Sequence, residues 1–74
     1  MEPKEVTTET KLAIIAQERQ MWLNTREMMT IRYRVNKRIG NAEQLKQTEK
    51  ELENCETALD EIDKIVTELQ AEKK

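Results

Sequence analysis

Histidine and phenylalanine are missing from this chain, and cysteine, glycine, proline, tryptophan and tyrosine each occur once in 74 residues. Each scarcity excludes something. Without histidine, the common zinc patterns and a His-based catalytic triad are out. A single cysteine, Cys55, allows no intramolecular disulfide and fits a reducing compartment. One glycine and one proline leave almost no turns, which rules out an all-β fold. They also leave no phosphate-cradling glycine loop. No apolar run approaches the roughly 18 residues that read as a membrane span. The opening residues, MEPKEVTTET, are polar and acidic, so no secretory signal is expected there.

What dominates is charged and hydrophobic side chains, 38% and 36% of the chain. That balance belongs to helices with one face in water. Net charge is −2, but residues 1–39 hold eight cations against five anions, and residues 40–74 hold five against ten. The halves are complementary in sign, which predicts that they pair. A chain this short buries little apolar surface and, lacking staples, is expected to oligomerise.

The second half carries the clearest pattern. Leu45, Thr48, Leu52, Cys55, Leu59, Ile62, Val66 and Leu69 alternate in steps of three and four. This is a heptad seam, with Thr48 and Cys55 its only soft points. Asn41 is a good N-cap, and Gln44 stands where a capping box needs it. Lys73 and Lys74 favour the negative end of the helix dipole.

The first half predicts a helix over about 8–39, with Pro3 offering an earlier start. It has two apolar rows. Leu12, Ile15, Trp22, Met29 and Tyr33 share a period with Arg19, Arg26 and Asn36. Ile14, Met21, Met28 and Val35 recur every seven residues, on a face roughly 130° away. Two rows imply two partner surfaces.

Gly40 is the residue a helix prefers just past its end, and Asn41 can open the next helix. Folding the chain there sets Leu12 against Leu69, Ile15 against Val66, Trp22 against Leu59 and Met29 against Leu52. Arg19 then reaches Asp63, Arg26 reaches Glu56, and Arg32 lies near Glu49. A parallel dimer of the second helix would instead face Glu51 with Glu56, an unfavourable like-charge pair. The expected fold is therefore all-α. One domain, 1–74, forms an antiparallel helical hairpin with helices over about 8–39 and 42–72 and a turn at Gly40-Asn41. The leftover row Ile14, Met21, Met28 and Val35 predicts dimerisation into a four-helix bundle.

Four cations, Arg32, Arg34, Lys37 and Arg38, crowd the end of the first helix. Lys37 and Arg38 suit the last turn, where cations offset the dipole. The same cluster, with Tyr33 for stacking, could contact phosphates or a protein partner. An overall pI near 5.2 argues against a strong nucleic-acid footprint. Cys55 at a heptad core position beside Glu56 reads as an inert thiol. No catalytic residue, cofactor site or metal site is expected. Neither the Trp-x-Gly turn of secreted helical hairpins nor the Pro-bearing turn of type III secretion needle subunits is present: Trp22 is followed by Leu23-Asn24.

The expected function is that of a small, non-enzymatic, cytoplasmic interaction module: an adaptor, assembly factor or inhibitor of a larger protein, acting as a homodimer and away from membranes. By association alone, such compact acidic chains are expected among phage or mobile-element products. The alternative is a nucleic-acid-associated regulator using the basic end near the hairpin tip.

Overall fold

The computed structural model describes residues 6–72. Two helices, α1 over Thr8–Ile39 and α2 over Ala42–Glu72, pack along their length with no strand among the described residues. The protein is an antiparallel helical hairpin.

Its ends follow from local chemistry. Thr7 sits in extended backbone, and its hydroxyl accepts from the Thr10 backbone N–H, capping α1. The expected earlier start at Pro3 and the dipole role of Lys73 and Lys74 lie outside the described residues. Gly40 ends α1 with φ 76° and ψ 28°, the left-handed conformation that costs other residues. The Gly40 and Asn41 backbone N–H groups both reach Asn36 O, so two donors at the turn are satisfied.

Asn41 then opens α2, its Oδ1 accepting from the Gln44 N–H at 3.2 Å. Among the described residues, the reciprocal half of the capping box is missing, for a clear reason. The Asn41 N–H that Gln44 would accept from is already bonded to Asn36 O.

Three cross-helix polar contacts fix the register. They join Arg19 to Asp63, Arg26 to Glu56 and Tyr33 to Glu49, spanning 44, 30 and 16 residues of chain. The span shortens by two residues for each step along α1, as antiparallel pairing requires.

The hairpin measures 56 × 27 × 14 Å, so it is one helix layer thick. Its core is correspondingly a single seam. Thr48, Cys55, Leu59, Ile62 and Leu69 of α2 are buried, with Met29 the buried residue of α1. Leu12, Ile15, Trp22 and Leu23 of α1, and Leu45, Leu52 and Val66 of α2, are half-buried at its edges. Four of the five buried α2 residues form one heptad column, while its neighbouring column is closed only at Leu59. The one polar member, Thr48, donates its hydroxyl to Gln44 O and so carries no unpaired group into the core.

Candidate interaction surfaces

The two faces of α1 meet different fates. The row Leu12, Ile15, Trp22, Met29 and Tyr33 turns toward α2 and is buried or half-buried. The row expected at an oligomer interface stays in water: Ile14 is 57% exposed, Met21 61%, Met28 45% and Val35 53%. No described residue of the hairpin covers it.

The row is also wider than its seven-residue spacing shows. Ile31 and Ile39 are exposed beside it, three residues after Met28 and four after Val35. Sequence periodicity by sevens missed both. The i+3 and i+4 spacing to the row was the available signal. Together the six side chains present roughly 600 Å² of apolar surface, at the upper end of what a monomer ordinarily leaves open.

Ion pairs fill the opposite edge of the seam. Arg19 Nε lies 3.3 Å from Asp63 Oδ1, and Arg26 Nη1 lies 3.3 Å from Glu56 Oε1. Both were legible from the sequence. The third expected neighbour is a correction. Glu49 accepts from the Tyr33 hydroxyl at 3.5 Å, and Arg32 lines a recess with Met29, Thr48 and Glu51 on the other edge. The reason is the helix itself: Arg32 and Tyr33 are about 100° apart, so only one of them can reach the Glu49 edge.

This correction frees the basic tip. Arg32, Arg34, Lys37 and Arg38 are all exposed, and none forms an ion pair with a described residue. Lys37 and Arg38 do occupy the last turn of α1, near its negative dipole end. Tyr33, Arg34, Lys37 and Arg38 line one shallow recess, and Arg34, Val35, Arg38 and Ile39 another. Cations and aliphatic side chains therefore alternate around the tip.

Cys55 is fully buried and unpaired in the seam. Burial pushes its thiol pKa up; Glu51 and Glu56 add to this, and Arg26 partly offsets it. That is the opposite of an activated nucleophile. Among the described residues no group of three or more Cys, Asp or Glu side chains could hold a metal ion. Among the described residues no helix is long and apolar enough to cross a membrane. No protein-family model, curated protein or solved structure matches the chain.

Proposed function

We propose that this protein is a non-enzymatic interaction module that self-associates through the outer face of α1. As a dimer, it serves as an adaptor, assembly factor or inhibitor of a larger protein. One observation carries the reading: a second, continuous apolar row on a helix whose other face is already used. A lone hairpin gains nothing from keeping Met21 and Met28 in water, and unbranched methionines adapt well to a partner. The thiol buried at Cys55 suits a reducing, intracellular setting.

The test is sedimentation of the chain with Met21→Glu and Met28→Glu together. The wild type should be dimeric at micromolar concentration. The variant should be monomeric with its helix content kept, because both changed residues are exposed in the hairpin. A variant that keeps the dimer mass places the interface elsewhere.

A second reading has its own observation, four exposed tip cations that form no ion pair with a described residue. They could hold nucleic-acid phosphates, with Tyr33 beside Arg34, Lys37 and Arg38 in one recess. Binding to DNA or RNA at about 50 mM salt that collapses by about 200 mM would support it. The same binding should vanish when Arg32, Arg34, Lys37 and Arg38 all become Gln. No binding at the lower salt leaves the protein-partner reading in place.

A further inference from the structure

A second copy can lie on the α1 row in two directions, and the charges beside the row choose between them. The inference rests on the self-association proposed above. Ile14, Met21, Met28 and Val35 are evenly spaced, so the row matches another copy whether the helices run parallel or antiparallel. Antiparallel, Ile14 meets Val35 and Met21 meets Met28.

The edges of the row break this degeneracy. One edge is the series Glu18, Thr25 and Arg32, again seven apart. The other is Ala13, Gln20, Glu27 and Arg34. In an antiparallel pair like edges meet, so Glu18 of each copy falls against Arg32 of the other. In a parallel pair unlike edges meet. Arg32 would then face Glu27, but all the tip cations of both copies would gather at one end. No Asp or Glu lies between Glu27 and Glu43 to offset them. Antiparallel pairing sends the two basic tips to opposite ends, each beside the part of the other α1 that carries Glu18. It also sets the helix dipoles head to tail.

The two residues are suited to this contact. Arg32 is exposed and forms no ion pair with a described residue. Glu18 uses one carboxylate oxygen to accept from the Trp22 indole N–H at 3.1 Å, which fixes the side chain and leaves a second acceptor oxygen. The flanking helix helps. The ion pairs occupy the α2 edge of Glu56 and Asp63, so its other edge, with half-buried Ala58 and Ile65, lies on the same side of the hairpin as the α1 row. A second hairpin laid there closes a four-helix bundle. The exposed apolar area, roughly 600 Å² per copy, approaches the ~800 Å² per partner of a standard interface.

We propose that two copies pair α1 against α1 antiparallel, about a two-fold axis near Thr25, with Glu18 of each copy bonded to Arg32 of the other. Within one chain these residues are about 21 Å apart along the helix. Any rescue of one by the other must therefore pass through the second copy.

That fact makes the test a charge swap in the full chain, read by sedimentation equilibrium with helix content checked by circular dichroism. Glu18→Arg and Arg32→Glu should each weaken the dimer about tenfold, since two symmetric pairs turn repulsive at once. The double variant should return to within about threefold of wild type, and Glu27→Arg alone should stay within that range. If Glu27→Arg rescues Arg32→Glu while Glu18→Arg does not, the copies are parallel and this pairing is overturned, although self-association stands. If neither swap rescues, the pairing is overturned as well. A wild type that is monomeric throughout removes the self-association itself.

Discussion

The two helices use their apolar residues differently. α2 concentrates them in one heptad seam, and its buried residues, Thr48, Cys55, Leu59, Ile62 and Leu69, all belong to it. α1 spreads the same resource over two faces, buries only Met29, and leaves six large aliphatic side chains exposed between Ile14 and Ile39. Within the hairpin α2 turns its seam to α1, while α1 carries a second apolar face that α2 does not use. Burial within the hairpin therefore marks stability, and the exposed apolar surface on α1 is what the proposed association would use.

The contrast would break first at the seam. Ile62→Ala should cost about 2–4 kcal/mol, since it opens a cavity in a core too thin to collapse around it. Ile14→Ala should cost under about 0.5 kcal/mol when the chain is diluted to monomer, because that side chain is already in water. Urea denaturation at low concentration checks both. Equal costs would mean that the outer row is not a separate surface.

A smaller effect belongs to the turn. Gly40→Ala should destabilise the hairpin by about 1–2 kcal/mol. An added Cβ there meets nothing within 4 Å, so the cost is the left-handed backbone alone. Asn at position 40 should recover part of it, because Asn tolerates that conformation. Thermal melts of the two variants give the order.

Cys55 sharpens the comparison through pH. Its folded thiol pKa lies above the ordinary value of 9.0, so the folded state resists ionisation that the unfolded chain accepts. Its contribution is present below that value and is lost as pH rises through it toward the folded pKa. Stability should therefore fall between about pH 8 and 10 more steeply in the wild type than in Cys55→Ala. Alkylation of the thiol should be slow in the native protein and fast in urea. Rapid alkylation of the folded chain would place Cys55 outside the seam.

A small effect is also expected at the exposed ion pairs. Arg26→Ala should cost under about 1 kcal/mol, part of it lost stem packing, with the electrostatic part fading as salt is added. Both partners are substantially in water, at 38% and 67% side-chain exposure. A cost comparable to that of Ile62→Ala would mean that charge, and not the seam, holds the helices together.

Most of the hairpin was legible because its determinants are local or periodic. Gly40 and Asn41 fix the turn through conformation and capping, and the three-four alternation from Leu45 to Leu69 fixes the buried side of α2. Long-range pairs at Arg19 and Arg26 followed once the register was set, since position along a helix determines what lies opposite. The edge of the seam was not legible. Whether Arg32 or Tyr33 reaches Glu49 depends on the rotation of α1 about its axis, and a heptad pattern leaves that rotation open by tens of degrees.

By itself the sequence determined two helices, their bounds, their turn and their antiparallel sense, because glycine conformation, capping groups and apolar period act over a few residues. Only the tertiary structure decided which column of the α2 seam is closed, that Glu49 belongs to Tyr33, and that Ile31 and Ile39 widen the exposed α1 row. Those outcomes depend on how two cylinders are rotated against each other, and that rotation is set by side-chain packing along the whole contact.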